Sequence, residues 1–144
     1  MFVIQIRYLS FFFGIISILS FFNLIYSYYL NLYLNLNTYY LSLIVSLIIS
    51  ILFFKLKISE KKPSIYSKIL TILVGYILIP LILSIPLYFS IYNLTFINSY
   101  FEAISGFTST GFTIFENIKN IDQSLILWRS SSQWIGGLYF LFSI

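Results

Sequence analysis

The 144-residue sequence is 60% hydrophobic and 8% charged, with a mean hydropathy of +0.97, a composition typical of proteins that cross a membrane several times. It contains neither cysteine nor histidine, which excludes disulfides, thiolate or imidazole metal sites and any Ser–His or Cys–His catalytic pair. We therefore expect no enzyme and no cofactor. The net charge of +4 is a signal of membrane topology rather than of nucleic-acid binding, because most basic residues fall in one loop.

The first part of the chain predicts two membrane-spanning helices. An apolar run from about Val3 to Leu30 is long enough for one span, and no cleavage site follows it that would favour a signal peptide. The uncharged segment Asn31–Tyr40 contains three asparagines together with Tyr33, Tyr39 and Tyr40, which predicts a turn at the membrane–water interface. A second apolar run, from about Tyr39 to Phe54, is close to the minimum spanning length.

The loop Lys55–Lys68 carries five of the eight basic residues of the chain against a single acidic residue, Glu60. The positive-inside rule places this loop in the cytoplasm, together with the amino terminus. The Asn31–Tyr40 turn and residues 93–123 then lie outside. The outer region contains three acidic residues against one lysine, a balance consistent with a vestibule that attracts cations; these residues are Glu102, Glu116, Asp122 and Lys119.

The second part of the chain predicts two further spans with a short helix between them. The third span, about Tyr66 to Tyr92, contains Gly75, Pro80 and Pro86, and the prolines predict a bend. The fourth span begins near Ser124. Between these spans, Ser99 and Glu102 have the spacing of a capping box, which predicts a helix over about Ser99–Ser105 that stops at Gly106.

A hydroxyl-rich stretch, Thr108–Thr113, follows this short helix and has Gly111 at its centre. Such a stretch can turn successive carbonyl oxygens toward one axis, where they replace the water around a potassium ion. Considered alone, a Thr/Ser/Gly-rich segment between apolar helices is more often an ordinary turn. The order of elements favours the ion pathway, because a long helix, a short helix, a filter-like loop and another long helix form the membrane–pore–membrane unit of potassium channels.

Two blocks in this region resemble the Trk/Ktr/HKT superfamily of potassium uptake proteins, most closely the amino-terminal portion of the Trk-type membrane subunit. One block is Tyr100–Thr113, and the other is Trp128-Arg-x-x-x-Gln-Trp-x-Gly-Gly137. The resemblance implies an all-α membrane protein: residues 1–65 supply two leading helices and a basic cytoplasmic loop, and residues 66–144 supply the first membrane–pore–membrane unit. The family builds its conduction path from four such units, so this sequence holds one quarter of a pore.

The resemblance also assigns the filter residues. Gly111 falls on the filter glycine of the family, with Thr108, Ser109 and Thr110 before it and Phe112 after it. K⁺ would bind to the backbone carbonyls of Thr110 and Gly111. The potassium-channel signature has a second glycine where this chain has Thr113, which leaves selectivity for potassium over sodium open.

Two charged residues are candidates for a supporting role. Arg129 is embedded in an apolar helix, where a charge costs about 2.5–3.5 kcal/mol unless it reaches the interface or is paired. Glu102 is its nearest candidate partner, although Glu102 could instead cap its helix or line the vestibule. Gly136 and Gly137, with Ser130–Ser132, predict close packing against another helix, and a gating hinge is the alternative.

The resemblance implies several partners: membrane lipid, the remaining membrane–pore–membrane units, a second full-length chain in a dimer, and a cytosolic nucleotide-binding regulatory subunit. It also implies a multi-pass protein of the bacterial inner membrane. Because a filter needs carbonyls from four sides, we expect the chain alone not to conduct, as a truncated or split gene product. A symmetric pore of four identical chains is the alternative assembly. The alternative function is a non-conducting membrane adaptor or assembly subunit, whose polar loop is only a structural turn.

Overall fold

The computed structural model describes residues 6–56 and 64–143, and over those residues the chain is all-helical, which confirms the predicted fold class. The α-helices, in chain order, are α1 (Ile6–Tyr29), α2 (Leu36–Lys55), α3 (Ile65–Leu83), α4 (Ile85–Tyr88), α5 (Phe96–Phe107) and α6 (Gln123–Ser143). A short 3₁₀ turn, Ile118–Asn120, precedes α6. Half of the predicted basic loop Lys55–Lys68, residues 57–63, lies outside the described residues.

Three helical segments of the described chain are long and apolar enough to cross a membrane: Arg7–Tyr29, Leu36–Lys55, and Ile65–Tyr88, which joins α3 and α4. The 21 residues of α6 would extend about 30 Å and so reach spanning length. However, α6 does not meet the same hydropathy criterion, because it carries Arg129, Gln133 and several serines. The predicted fourth span is therefore a more polar helix, and it packs against α1 and α5.

α1 and α2 form an antiparallel pair that is held together by serines as well as by apolar side chains. The Ser10 hydroxyl donates to the Ser50 carbonyl at 2.8 Å, and the Ser50 hydroxyl donates to the Ser10 carbonyl at 2.9 Å. Farther along the pair, the Ser20 hydroxyl donates to the Ser42 hydroxyl at 3.2 Å. Small hydroxyl residues allow close approach of two helices in a membrane and add hydrogen bonds between them.

The connection between α1 and α2 is shorter than the predicted Asn31–Tyr40 turn, because α2 already begins at Leu36. Tyr39 therefore lies inside α2 rather than in the turn. It is fully buried, and its hydroxyl lies 2.8 Å from the hydroxyl of Ser124 at the start of α6. A tyrosine in the first turn of a helix is buried only if it lies on the face that packs against other helices. Composition alone does not reveal which face that is.

The third span is interrupted between α3 and α4, in the region where the prolines predicted a bend. α3 contains Pro80 and ends at Leu83, and Pro86 lies in the first turn of α4. A proline has no backbone N–H, so Pro86 cannot donate to the carbonyl four residues earlier, and the helix is interrupted at Ser84. The remainder of the predicted span, up to Tyr92, is not helical.

α5 enters the bundle and stops partway across it. Near its start, the Tyr100 hydroxyl donates to the Ile77 carbonyl of α3 at 3.1 Å. At its end, the centre of the Phe107 ring lies 5.5 Å from the centre of the Tyr76 ring and 5.6 Å from that of Tyr139 in α6. Tyr76 is midway along the segment Ile65–Tyr88. Twelve residues rise only about 18 Å, so α5 is a half-depth helix.

α6 runs antiparallel to α1 along most of its length. At one end, the Asn23 amide of α1 donates to the Ser124 carbonyl at 3.2 Å, and at the other the Tyr8 and Ser143 hydroxyls lie 3.5 Å apart. The start of α1 and the end of α6 therefore lie on the same side of the bundle. The loop that joins α5 to α6 begins at the end of the half-depth helix and reaches the other side at Asp122, next to Asn35.

Candidate functional site

The half-depth helix α5 starts one turn earlier than the predicted capping box. Thr95 is its N-cap residue, and the Thr95 hydroxyl accepts a hydrogen bond from the Asn98 backbone N–H at 3.3 Å. Ser99 lies inside the first turns, where its hydroxyl donates to the Thr95 carbonyl at 3.0 Å. The predicted Ser99–Glu102 capping box was therefore wrong. Thr95, four residues before Ser99, is the N-cap residue, and the Glu102 side chain makes other contacts.

The carboxyl end of α5 also differs from the prediction, because the helix continues past Gly106 to Phe107. Ser109 takes a left-handed conformation with φ of 56°. The Ser109 N–H bonds to the Gly106 carbonyl at 2.9 Å, and the Thr110 N–H bonds to the Ser105 carbonyl at 3.0 Å. These two bonds form a Schellman motif, with serine in the position where glycine is usual.

Gly106 is needed for packing rather than for the helix end. A Cβ atom at this position would lie 2.5 Å from the Ser132 hydroxyl of α6. The glycine that suggested a helix stop therefore marks a close approach between α5 and α6.

The candidate filter, Thr108–Phe112, is exposed along its whole length in this chain. Gly111 has φ of 81°, in the region that favours glycine, and no neighbouring atom would meet a Cβ placed there. Within the described residues, the carbonyls of Thr110 and Gly111 accept no hydrogen bond. The Thr108 and Thr110 hydroxyls bond to each other. The loop therefore presents hydroxyls and backbone groups on a surface that the chain leaves uncovered.

Phe112 differs from the residues before it, because its carbonyl accepts a hydrogen bond of 2.6 Å from the Ser105 hydroxyl of α5. This bond ties the end of the loop back to the half-depth helix. The sequence did not identify Ser105 as a functional residue, because a serine near the end of a helix is common and its position carries no specific signal.

Glu102 lies at the centre of the site, and its side chain is fully buried. One carboxylate oxygen, Oε1, accepts from the Thr113 hydroxyl at 2.7 Å and from the Ile114 backbone N–H at 2.5 Å. Thr113 in turn accepts from the Phe115 N–H at 3.2 Å. The carboxylate thus holds the chain immediately after the candidate filter, and Thr113 provides one of the anchoring hydroxyls.

The second carboxylate oxygen of Glu102, Oε2, lies 2.9 Å from Nε of Arg129. This confirms the predicted approach of the two charges. The Nε–H does not have the alignment of a hydrogen bond, so we interpret the contact as an ion pair at close range. The Arg129 side chain is only 16% exposed, and each charge therefore compensates for the burial of the other.

The acidic residues of the loop do not form the predicted vestibule as a group. Glu102 is buried and paired. Asp122 accepts from the amide of the buried Asn35 at 2.9 Å and from the Ser124 hydroxyl at 2.9 Å, so it caps the start of α6 and connects it to the leading helices. Glu116 is the exposed acidic residue of the described loop. The vestibule interpretation of Glu102 was therefore wrong, because charge counting does not show which carboxylates are already bonded.

The predicted packing role of the glycines in α6 applies to Gly136 only. A Cβ at Gly136 would lie 1.6 Å from the Phe107 carbonyl oxygen, whereas nothing lies within 4 Å of a Cβ at Gly137. Ser132, four residues before Gly136, faces Gly106, where an added Cβ would lie 2.5 Å from the Ser132 hydroxyl. Small residues on one face of α6 thus allow the end of α5 to approach the α6 backbone.

The described residues contain no cluster of acidic side chains suited to a metal ion. The polar groups that could contact a cation here are therefore the backbone and hydroxyl oxygens of the loop after α5. The carboxyl end of α5, which carries a partial negative charge, adjoins that loop.

Comparison with known proteins identifies the family. Residues 35–142 match the family model described as TrkH, cation transport protein. An uncharacterized cation transporter of Methanocaldococcus jannaschii is 33% identical over 127 residues, which cover 87% of this chain and 27% of that protein. The Trk system potassium uptake protein TrkG of Escherichia coli is 38% identical over 68 residues, covering 46% of this chain and 14% of that protein.

A third relative is the Trk system potassium uptake protein TrkI of Halomonas elongata, 40% identical over 55 residues, which cover 38% of this chain and 11% of that protein. No solved structure gives a significant match. The chain spans about a quarter of the length of the M. jannaschii relative and less of the others. With three quarters of its residues matched by the family model, this chain belongs to the TrkH family of cation transport proteins.

Proposed function

We propose that this chain supplies one unit of a potassium-conducting pore, in which the backbone carbonyls of Thr110 and Gly111 bind a dehydrated K⁺ ion. The observation that carries the proposal is the combination of an exposed loop, Thr108–Phe112, with a rigid support behind it. Glu102 anchors the chain after the loop, and the Ser105 hydroxyl anchors the Phe112 carbonyl. A filter requires fixed oxygens on one face and an open axis on the other.

The supporting charges favour this function because they do not face the proposed ion. Glu102 and Arg129 neutralise each other inside the bundle. The proposed ion then interacts with carbonyl dipoles and with the negative end of α5, which bind K⁺ weakly enough for it to leave again. A free carboxylate in the filter would hold the ion more tightly.

The relatives support the ion that we propose. TrkG and TrkI are named potassium uptake proteins, so we propose K⁺ as the transported cation, without a claim about discrimination against Na⁺. Since this chain contributes a single loop, we propose that three further membrane–pore–membrane units complete the ring. A second full-length chain and a cytosolic nucleotide-binding regulator are the further proposed partners, and the proposed location is the bacterial inner membrane with a cytoplasmic amino terminus.

The test is potassium flux into liposomes, with the 144-residue chain alone and with the chain co-expressed with the remaining units of a full-length relative. We expect no flux from the chain alone and K⁺ flux from the complete assembly. Robust flux from the chain alone would overturn the requirement for separate units. Absence of flux from a verified complete assembly would favour the non-conducting adaptor instead.

Two glycines provide a matched pair of variants for the flux assay. Gly111→Ala and Gly137→Ala both place a methyl group in open space, but only Gly111 has a positive φ. We expect Gly111→Ala to reduce flux by about tenfold or more, since a strain of roughly 1–2 kcal/mol in the loop reorients its carbonyls. Gly137→Ala should leave flux unchanged. Equal flux in both variants would show that Gly111 does not shape the pathway.

A further inference from the structure

A groove lies between α1 and α2, at the side of the bundle where α1 begins and α2 ends. Its volume is about 500 Å³, and it is lined on the α1 side by Arg7, Phe11 and Ile18 and on the α2 side by Ser50 and Phe54. The groove lies away from Glu102 and the filter loop, and none of its lining residues takes part in the contacts of that site.

The helices approach closely on the floor of the groove, because small residues line them there. A Cβ added to Gly14 would lie 3.4 Å from the Ser50 hydroxyl. The Ser10 and Ser50 hydroxyls are satisfied by each other's carbonyls, so they present little hydrogen-bonding capacity to an occupant. The floor is therefore narrow and effectively apolar.

The walls of the groove are apolar and exposed. Phe11 is 57% exposed, Ile18 is 55% exposed and Phe54 is 59% exposed. In a chain that lies in a membrane, such a surface suits the hydrocarbon tail of a lipid, since apolar side chains exposed at this depth face acyl chains rather than water.

One end of the groove carries positive charge. The guanidinium carbon of Arg7 lies 4.7 Å from the centre of the Phe54 ring, a cation–π contact that holds the face of the guanidinium and leaves its N–H edges available. Lys55 is the next residue along α2 and is exposed. The three acidic residues of the described chain, Glu102, Glu116 and Asp122, all belong to α5 or the loop after it.

From this arrangement we propose that the α1–α2 groove binds one anionic phospholipid, whose phosphate contacts Arg7 and whose acyl chain lies along Phe11 and Ile18. Guanidinium groups are suited to phosphate because their N–H donors are planar and fixed. Basic pockets between membrane helices bind anionic headgroups for the same reason. The apolar length of the groove selects a lipid rather than a free phosphate.

The experiment is native mass spectrometry of the 144-residue chain in detergent, titrated with phosphatidylglycerol or with phosphatidylcholine that has the same acyl chains. We expect one phosphatidylglycerol molecule to bind tightly and phosphatidylcholine to bind more weakly. Arg7→Gln should weaken phosphatidylglycerol binding by about fivefold to tenfold, and Arg7→Lys by less. Glycerol phosphate without acyl chains should not displace the lipid.

Matched variants separate the groove from general effects of charge and polarity. Lys68→Gln makes the same change in net charge at an exposed residue of α3, and Ile69→Asn matches Ile18→Asn on another exposed helix face. We expect Ile18→Asn to weaken phosphatidylglycerol binding and both control variants to retain it. Circular dichroism verifies that each variant remains helical.

Four outcomes would overturn the proposal. These are equal binding of the two lipids, equal effects of Arg7→Gln and Lys68→Gln, displacement of the lipid by glycerol phosphate, and chain dimers that form in place of lipid adducts. The last outcome would mean that a second copy covers the groove. None of these measurements depends on ion flux, so the proposed transport function and the lipid site are tested independently.

Discussion

Gly136 of α6 packs against the backbone carbonyl of Phe107, at the end of the half-depth helix, so closely that a Cβ at position 136 would lie 1.6 Å from the carbonyl oxygen. The obstacle is backbone rather than a flexible side chain, so it cannot rotate away. The position of the end of α5, from which the candidate filter loop leaves, therefore depends on the absence of a side chain at Gly136.

This contact predicts opposite results for two adjacent glycines. Gly136→Ala should force α5 and α6 apart and destabilise the fold by about 1–3 kcal/mol or more, as overpacking of a tight interior does. Gly137→Ala has open space and should stabilise α6 by up to about 1 kcal/mol, because alanine is the better helix former. Thermal unfolding of both variants in detergent measures the difference. A Gly136→Ala variant as stable as the parent would contradict the close contact.

The Glu102–Arg129 pair predicts a strong dependence of each charge on the other. Removal of one partner from a buried pair costs about 3–5 kcal/mol, because it leaves the other charge without compensation. Arg129→Gln and Glu102→Gln should therefore each destabilise the chain, and the double variant should lose much less than the sum of the two.

A double-mutant cycle on unfolding in detergent measures this coupling. Glu102→Gln retains an oxygen that can still accept from the Ile114 N–H. The loss of stability in this variant therefore arises mainly from the uncompensated charge of Arg129. Lys68→Gln, which removes an exposed charge on α3, is the control and should have almost no effect. Additive losses for Glu102 and Arg129 would contradict an energetic pair.

These two contacts show what the sequence could and could not predict. The partners Glu102 and Arg129 were predictable because a lone charge in an apolar helix requires compensation. The start of α5 was not, because Thr95 and Ser99 are both suitable N-cap residues and only the tertiary contacts of Glu102 distinguish them. In the same way, Gly106 is a residue type that often ends helices, but here it allows close packing against Ser132 of α6.

The lengths of the spans were predictable to within a few residues, since apolar runs and bilayer thickness constrain them. The face of each helix that packs against its neighbours was harder to predict. A chain with sixteen Phe and thirteen Tyr has apolar or aromatic residues on every face, and periodicity then gives little contrast. The burial of Tyr39 depends on its contacts with Ser124 and Trp128 of α6, which the sequence pattern of α2 does not reveal.

Tyr39 and Tyr40 provide a direct test of that burial. The Tyr39 hydroxyl pairs with Ser124 inside the bundle, whereas the Tyr40 hydroxyl pairs with Tyr28 at 2.8 Å on the exposed surface. We expect Tyr39→Phe to destabilise the fold by about 1–2 kcal/mol, because it also leaves Ser124 with one bond fewer, and Tyr40→Phe to change stability by less than about 0.5 kcal/mol. Unfolding of the two variants in detergent gives both values. Equal effects would contradict the burial of the Tyr39–Ser124 contact.

The orientation of the bundle in the membrane is the last prediction. The start of α1, the end of α2 and the start of α3 lie on the side that bears Arg7, Lys55 and Lys68, and the loop that contains the candidate filter reaches the opposite side at Asp122, next to Asn35. The positive-inside rule places the basic side in the cytoplasm. The chain has no cysteine, so a single introduced cysteine reports its own position unambiguously.

Ile65 and Glu116 are suitable sites for that cysteine. Ile65 is 73% exposed at the start of α3, and its replacement leaves the Ser64 cap intact, whereas Glu116 is exposed in the loop after the filter. In intact cells, an impermeant thiol reagent should label Glu116→Cys and should label Ile65→Cys only after the membrane is opened. The two sites control for each other, because both are exposed and only their sides differ. Labelling of Ile65→Cys in intact cells would reverse the orientation and place the filter loop on the cytoplasmic side.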